Sequence, residues 1–377
     1  MLPVFPPELL MGARNCAVEY GGIKKGDQVV ILVELGTNTE PIVVQALAAV
    51  CQEVGAEVQT VFTKRLLNSW WEELSPSVRA AVGAADVVLQ MSDTIGKTHL
   101  LDLMLNKQTR RIRNYATDQG LMSSEWARWP VELQDLVEMK VNGRLQESKT
   151  FRITTPAGTD IMGGISRTIR PWRKDQKRSK GMNVSFPPSV FRAMESLEAS
   201  GIIAAEATYP WGARRYGLPE TYFDQPVCLT IEKNKVVQVQ GGWEAERYRA
   251  AIDECAEQIG ERAFEVDSWH SGMSPKAFTP FAPKVNPDRW DHIMHNHENW
   301  FHFHIGGISV KDTSGDLQHH QKIEHINAVC RNATVYLDGE LMAKNGRLWI
   351  WEDPEVIAIA RKYGDPRSLF TPRQIWT

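Results

Sequence analysis

The first third of the chain alternates compact apolar runs with amphipathic stretches. Residues 27–34 are a compact apolar run suited to a buried parallel strand, and the runs at 57–62 and 85–90 are a second and a third predicted strand. Between the first two runs, residues 40–54 carry a helical pattern that ends at Gly55. Because strands that alternate with helices are joined by right-handed crossovers, this pattern predicts a Rossmann-like parallel sheet. No Gly-x-Gly-x-x-Gly motif follows the first run, so the sequence does not indicate a dinucleotide site.

The pattern changes near residue 145 to one typical of antiparallel strands. Residues 227–240 predict a β-hairpin with Lys233 and Asn234 at its turn. The other predicted elements are a strand at 151–156, an amphipathic helix at 243–258, a late hairpin formed by 333–339 and 347–351, and a short terminal helix at 355–363. We therefore predict an α/β fold in which a Rossmann-like domain at residues 1–145 precedes an α+β domain with mostly antiparallel strands at residues 146–377.

Composition and charge narrow the class of protein. A length of 377 residues fits two domains, and a net charge of −3 without an acidic or basic half argues against nucleic acid as a partner. The five cysteines are scattered and form no Cys-x-x-Cys pair, which favours a reducing compartment and argues against a thiolate zinc site. The N-terminus has no signal-peptide pattern, and no apolar run reaches the roughly 18 residues that a membrane span needs. We expect a soluble cytoplasmic protein with no membrane partner.

The histidines are concentrated in one window of the sequence. Nine of the ten lie between His270 and His325, and the remaining one is His99. Imidazole is the commonest metal ligand among side chains, and it titrates near neutral pH. The window therefore predicts a metalloenzyme whose metal is bound by the second domain.

Two of these histidines, His302 and His304, alternate with Phe301 and Phe303. In a strand, alternate residues share a face, so both imidazoles point the same way. This arrangement suits a metal pocket in which at least one of the two is a ligand. The alternative is a half-exposed strand whose polar histidines face solvent.

A second pair, His325 and Asn327, shares a face if its segment is a strand. A His-x-Asp sequence there would give two ligands of the 2-His-1-carboxylate arrangement that binds Fe(II), whereas Asn327 is a neutral and weaker oxygen ligand. The alternative for His325 is a loop-edge histidine that is hydrogen-bonded to the backbone. His270 lies where a predicted strand enters a glycine-containing turn, and it is a third candidate ligand. Asp267 could orient a ligand imidazole, although a plain surface aspartate is an equal alternative.

The other histidines of the window have weaker claims. His292, His295 and His297 fall in a helix or loop, where solvent exposure is favoured over a role as acid or base beside the metal. His319 and His320 belong to a loop that we place near the mouth of the site. His320 is there a candidate catalytic residue.

Further candidates carry other chemistry or lie far from the window. His99 could reach the cleft from the first domain and contact substrate, and Trp269 could wall a flat apolar pocket, with a core position as its alternative. Glu244 lies at the start of the predicted helix at 243–258, where the positive end of the helix dipole stabilises its negative charge. This structural role is favoured over a catalytic one. The basic residues between 167 and 174 could clamp an anionic substrate, but a solvated loop is favoured.

Several short motifs occur in an order that points to a known family. They are Gly26-Asp27 before the first strand, Thr155–Asp160, Phe186–Ser189, the hairpin at 227–240 with Gly241–Glu246 after it, His270–Gly272, and His325-x-Asn327 followed by Asn332–Gly339. Together they span most of the chain. On these motifs the sequence resembles the M29-like aminopeptidase T superfamily, and it is most similar to the branch that contains 2,5-dihydroxypyridine 5,6-dioxygenase.

Departures from the aminopeptidase pattern decide between the branches. The aminopeptidases place a glutamate after the Phe-Pro stretch that helps to build a two-metal site, whereas no carboxylate follows Ser189 in this chain. The dioxygenase branch also lacks that glutamate, and it binds one Fe(II) through two histidines and the aspartate of His-x-Asp. The resemblance therefore implies metal ligands at His270, His325 and the Asn327 position. His304 matches a ligand histidine of the peptidases, so the resemblance as a whole favours a centre of His270, His304 and His325.

The resemblance implies a mononuclear non-haem Fe(II) dioxygenase that uses O2 to open a hydroxylated or amino-substituted aromatic or N-heteroaromatic ring. A nearby histidine such as His302 would shuttle protons. Zn(II) or Mn(II) are alternative metals, and Zn(II) would activate water. The alternative function is a mononuclear metal hydrolase acting on an amide, a lactam or a small peptide, and a non-catalytic metal-binding protein is a third class. The resemblance also suggests a homo-oligomer.

Overall fold

The computed structural model of the chain describes residues 4–64, 74–91, 108–166, 183–187, 190–209, 217–218, 222–279, 285–306 and 325–373. Two compact units make up the chain. The first is Met1–Asp135 with Arg173–Pro188, and the second is Leu136–Trp172 with Ser189–Thr377. None of the described helices is both long enough and apolar enough to cross a membrane.

The first unit is built on a parallel sheet. Its strands are β1 (Gln28–Glu34), β2 (Glu57–Thr63), β3 (Val87–Met91), β4 (Arg110–Asn114) and β7 (Asn183–Phe186), in the order β2-β1-β3-β4-β7. Its helices are α1 (Pro7–Arg14) with a π-helical turn at Asn15–Tyr20, α2 (Pro41–Glu53), α3 (Pro76–Ala84) and α4 (Gln119–Met122). Every residue of β1 after Gln28 is buried, and Val29–Val33 are accordingly all apolar. The prediction of a parallel sheet fed by β/α units is confirmed.

The second unit is built on a large antiparallel sheet. Its strands are β5 (Thr150–Thr154), β6 (Asp160–Ile165), β8 (Met194–Ala207), β9 (Tyr222–Glu232), β10 (Lys235–Gln240), β11 (Val266–Ser271), β12 (Trp300–Ile305), β13 (Ile326–Arg331), β14 (Thr334–Leu337), β15 (Glu340–Lys344) and β16 (Arg347–Leu348). Its helices are α6 (Trp243–Ile259), α7 (Pro287–Met294), α8 (Pro354–Ala360) and α9 (Pro366–Phe370), with 3₁₀ turns at Gly260–Phe264 and Trp349–Glu352. Helix α5 (Val131–Glu147) begins in the first unit and ends in the second.

Two hairpins show how far turn residues determine local structure. The hairpin of β9 and β10 turns at Lys233 and Asn234, whose φ angles of 47° and 68° are those that such two-residue turns require. The prediction for this hairpin is confirmed. The prediction for the late hairpin is wrong, because β14 turns back at once through Asp338 and Gly339 and pairs with β15. Residues 349–351, which were predicted to be strand, lie in the 3₁₀ turn at Trp349–Glu352.

The long strand β8 gives the second unit a closed ring of strands. Near its start Glu195 is paired with Ser268 of β11, and at its end Ala207 is paired with Val329 of β13. Strand β12 lies between β11 and β13 and pairs with both. Strands β11, β12 and β13, which carry or adjoin most of the histidine window, are thus held side by side. Pairing with β8 at both edges of this group fixes their register.

Candidate metal centre

The register of β11, β12 and β13 places polar side chains on one face. His270 is directly opposite His302, Ser268 is opposite His304, and His304 is opposite Asn327. Directly opposed residues of antiparallel strands project to the same face of a sheet. This face therefore gathers imidazoles from two strands and an amide from the third, and the shared face predicted for His302 and His304 is confirmed.

Five imidazole rings lie in contact on this face, and we call them the histidine cluster: His270, His295, His302, His304 and His325. The ring centroids of His270 and His302 are 4.1 Å apart, those of His304 and His325 are 4.1 Å apart, and those of His295 and His302 are 4.7 Å apart. Nitrogen atoms of His270, His295 and His302 all lie within 4.8 Å of one another. The Nε2 atoms of His270 and His304 are 3.2 Å apart. These separations are short enough for a single metal ion to bind several of the rings.

Burial keeps three rings of the cluster, those of His270, His302 and His304, uncharged. It lowers the pKa of His270 to about 4. Burial is the main cause that lowers the pKa values of His302 and His304 well below their ordinary value, and the neighbouring imidazoles lower them further. At neutral pH these rings therefore keep the lone pairs that a metal ligand needs.

Several buried polar atoms on this face have no protein partner. Nε2 of His302 and both the oxygen and the nitrogen of the Asn327 amide are buried without a hydrogen bond among the described residues. His302 is fully buried, and Asn327 is 1% exposed. Leaving such a group unpaired costs about 1–3 kcal/mol, so a buried set of them calls for an explanation. Neutral nitrogen and amide oxygen donors are suitable ligands for a first-row divalent metal, and the residues present therefore fit such an ion.

A tyrosine that the sequence analysis did not single out adjoins the cluster. The Tyr209 hydroxyl is 3.4 Å from Nδ1 of His302, and its ring centroid is 5.1 Å from that of His295. Burial raises the pKa of Tyr209, so the phenol stays protonated. Trp290 packs on the other side, with ring centroids 6.2 Å apart. Tyr209 follows β8 as an isolated aromatic residue, and nothing in the local sequence separates it from an ordinary core tyrosine.

Two of the predicted site residues, Trp269 and Glu244, are described by the structure and lie outside the histidine cluster. Both occupy positions that contribute to the fold. Trp269 is fully buried on the face opposite the histidines, where its ring stacks on Phe301 at 5.5 Å and lies 5.2 Å from Phe151. Glu244 is 3% exposed at the start of α6, and its Oε1 accepts a hydrogen bond from the backbone amide of Asp224. His99, His319 and His320 and the basic residues between 167 and 174 lie outside the described residues.

The exposure expected for the histidines around α7 is wrong for His297 and His295. His297 is 2% exposed, because the chain after α7 turns back to form a bridge between His297 and Ser274. Its Nδ1 accepts a hydrogen bond from the backbone amide of Asn299. His295 is half-buried and belongs to the histidine cluster. Helical or loop position alone did not reveal that this segment packs on β12.

The buried neutral histidines predict that the metal-free protein is sensitive to acid. Burial lowers the pKa of His297 to about 4, as it does for His270, while an unfolded chain binds a proton near pH 6.5. Stability is therefore lost as the pH falls from 6.5 towards 4, and each of these groups contributes a loss of about 2 kcal/mol between pH 7 and pH 5.

This prediction is checked with urea unfolding of the metal-free protein at both pH values, in wild type and in His297→Gln. The variant should lose about 2 kcal/mol less between pH 7 and pH 5 than wild type does. An identical pH dependence in the two proteins would contradict the assignment of His297 as a buried neutral group.

Comparison with known proteins agrees with this architecture. The structure of 2,5-dihydroxypyridine dioxygenase from Pseudomonas putida KT2440 is similar, with a TM-score of 0.62, 17% sequence identity and coverage of 92% of this chain and 98% of that chain. Wild-type AmpT from Thermus thermophilus is also similar, with a TM-score of 0.52, 14% identity and coverage of 90% of this chain and 99% of that chain. At these identities the likeness shows a shared fold. A search of curated proteins gives no match.

The fold and the cluster of buried imidazoles define an α/β protein whose second unit contains a candidate metal centre formed by histidines from neighbouring elements. The family model of 2,5-dihydroxypyridine 5,6-dioxygenase (NicX) matches residues 10–350. The chain therefore belongs to the 2,5-dihydroxypyridine 5,6-dioxygenase family, a family of enzymes, and the resemblance inferred from its motifs is confirmed.

Proposed function

We propose that this protein is a mononuclear non-haem Fe(II) dioxygenase that opens a hydroxylated pyridine or a closely related aromatic ring. The observation that carries the proposal is the close approach of the Nε2 atoms of His270 and His304, 3.2 Å apart, on the same face as an Asn327 amide that has no hydrogen bond among the described residues, in a chain that belongs to a dioxygenase family. Bound Fe(II) would supply the one-electron chemistry through which O2 reacts with a closed-shell ring.

Two sets of ligands are compatible with the cluster, and both contain His270. The resemblance favours His270, His304 and His325, with the Asn327 amide as an additional oxygen ligand. By the mutual distance of ligand atoms, the set that qualifies among the described residues is instead His270 with His295 and His302. We propose the first set, because the Nε2 atoms of His270 and His304 lie 3.2 Å apart and Asn327 is directly opposite His304 with its amide unpaired.

In this arrangement His302 is left to handle protons. It is uncharged, and its Nε2 has no partner among the described residues, so this atom can accept the proton of a ring hydroxyl group. Nδ1 would then carry a hydrogen and donate to the Tyr209 oxygen, which is 3.4 Å away. Tyr209 and Trp290 give the region an apolar lining that excludes water. His99 and His320 remain candidates for contact with substrate and for proton transfer.

The test is oxygen uptake by Fe(II)-reconstituted protein with 2,5-dihydroxypyridine, followed by a panel of aminophenols and hydroxybenzoates. We expect consumption of one O2 for each ring whose absorbance is lost, and no uptake in His270→Ala. Retention of bound metal with no uptake for any ring would contradict the proposal.

One observation favours a second candidate function, a metal-dependent hydrolase acting on an amide, a lactam or a small peptide. His304, the histidine that the resemblance connects with the peptidases, lies within the cluster rather than outside it. A water-activating Zn(II) or Mn(II) ion would use the same donors. Release of amine from a panel of amides and lactams by the Zn(II) form, without O2 consumption by the Fe(II) form, would establish this alternative.

The proposal extends to location and assembly. We propose a cytoplasmic homo-oligomer, since the five cysteines, all of which lie in the described residues, form no disulfide bond with one another and the resemblance suggests self-association. Light scattering of the purified protein at several concentrations measures the oligomeric state. A mass of 42.6 kDa at every concentration would show a monomer and contradict this part of the proposal.

A further inference from the structure

A short chain of hydrogen bonds approaches His304 from the side away from His270. The Ser268 hydroxyl donates to Oδ2 of Asp267 at 3.0 Å, and its oxygen is 2.8 Å from Nδ1 of His304. A hydroxyl group has one hydrogen, and the bond to Asp267 uses it. The Ser268 oxygen therefore accepts from Nδ1–H of His304, which leaves the lone pair of that ring on Nε2.

The neighbouring ring is fixed in the same way by a different partner. Nδ1 of His270 is 3.3 Å from the backbone carbonyl oxygen of Phe191, and a carbonyl oxygen can only accept. His270 therefore carries its hydrogen on Nδ1 and its lone pair on Nε2. The two Nε2 atoms, 3.2 Å apart, then face each other with a lone pair each. This pair of acceptors is stable when a cation is bound by both.

Without Ser268 the same geometry would favour a different state. His304 could carry its hydrogen on Nε2 and donate it to Nε2 of His270 across the same 3.2 Å. Two imidazoles joined in this way form a satisfied hydrogen bond and offer one lone pair fewer to a metal. The choice between a metal site and an imidazole pair thus depends on which nitrogen of His304 carries the hydrogen.

We infer that Asp267 and Ser268 are positioning residues that hold His304 in the tautomer able to bind metal. Asp267 orients the Ser268 hydroxyl as an acceptor, and Ser268 in turn keeps the hydrogen of His304 on Nδ1. The inference rests on the proposed metal centre, and it adds a requirement for two residues that do not touch the metal. The three side chains are all supplied by β11 and β12, where Ser268 and His304 are directly opposed.

The first test is Ser268→Ala, compared with Ser271→Ala as a matched control. Ser271 is a buried serine of the same strand, but its hydroxyl bonds the backbone carbonyls of Gly272 and Glu298. We expect Ser268→Ala to lower the affinity for Zn(II) by about 10–100-fold in competition with a chromophoric chelator, and Ser271→Ala to leave it unchanged. Equal affinities in the two variants would overturn the inference.

A second readout uses the metal-free protein, so it does not depend on activity. Nitrogen chemical shifts of labelled imidazoles report which nitrogen carries the hydrogen. In wild type we expect the His304 hydrogen on Nδ1, and in Ser268→Ala we expect it to move to Nε2. An unchanged His304 tautomer in Ser268→Ala would also overturn the inference.

A double-mutant cycle tests whether Asp267 acts through Ser268. Asp267→Ala should weaken Zn(II) binding in the wild-type background and have no further effect in the Ser268→Ala background. Additive losses would show that Asp267 acts by another route and would contradict its assigned role. If wild type opened no ring while both readouts responded as expected, the proposed dioxygenase function would fail and the positioning role would stand.

Discussion

Replacing His270 with alanine is expected to lower the affinity for Fe(II) or Zn(II) by at least about 10³-fold and to abolish oxygen uptake. Loss of an outer partner of a ligand costs about 10–100-fold, and loss of a direct ligand should exceed this. His270 has the largest expected effect because it belongs to both ligand sets, with its ring 4.1 Å from His302 and 4.9 Å from His304. Chelator competition on the purified metal-free protein measures the affinity.

The control for this variant is His297→Ala. His297 is also buried and also uncharged, but its Nδ1 is used by the backbone amide of Asn299. The control should therefore lose stability and keep the metal affinity of wild type. Metal binding by His270→Ala at wild-type strength would contradict the proposed centre as a whole.

Two further variants distinguish the ligand sets. His325→Ala should weaken metal binding strongly if the centre is His270, His304 and His325. His295→Ala should then have a small effect, since that ring would stand beside the metal rather than bind it. The opposite ranking would favour the set of His270, His295 and His302, whose nitrogens lie within 4.8 Å of one another.

Replacing Asn327 with aspartate is the second change with a large expected effect. In the metal-free protein it places a carboxylate at a position that is 1% exposed and has no hydrogen-bond partner in the part of the chain that the structure describes, which we expect to cost on the order of 3 kcal/mol of stability. With metal bound, the carboxylate is a stronger ligand than a neutral amide, and it would add an anionic oxygen to the three imidazoles of the proposed centre. We therefore expect Asn327→Asp to bind Fe(II) more tightly than wild type does.

Thermal unfolding with and without metal measures both effects of this substitution. The metal-free melting temperature should fall, while the increase produced by saturating metal should exceed that of wild type, since binding to the folded state adds stability according to affinity. Asn327→Leu is the matched control. It removes the unpaired amide at similar size, so the metal-free protein should unfold at the same or a higher temperature, with weaker metal binding. A metal-induced increase of the same size in wild type, Asn327→Asp and Asn327→Leu would show that residue 327 does not touch the metal.

Local periodicity and turn chemistry determined much of the secondary structure of this chain. The continuous apolar run of β1 reports burial on both faces of a parallel sheet, and Lys233-Asn234 supplies the backbone angles of a tight hairpin. The alternation of His302 and His304 with phenylalanines fixed which side chains share a face before any partner strand was known. These features depend on neighbours in the sequence, so the sequence alone was sufficient.

Pairings between distant segments were decided only by the tertiary structure. The sequence assigned residues 183–186 to the second domain, but they form β7 and pair in parallel with β4 of the first unit. It also gave no sign that β8 would pair with both β11 and β13. Strand order is set by which apolar faces can be buried together. The alternation of apolar and polar residues along one strand contains no information about which other strand will pair with it.

The same division holds within the candidate site. The density of histidines between residues 270 and 325 was enough to predict a metal-binding region, because residue type alone limits the available chemistry. Composition could not show that His295 joins the cluster, that Tyr209 adjoins His302, or that Ser268 directs the hydrogen of His304. Each of these contacts joins residues from different elements, and its distance is fixed only when the strands have taken their register. The sequence thus determined which donor groups are present, and the tertiary structure decided which of them meet and which atom each presents.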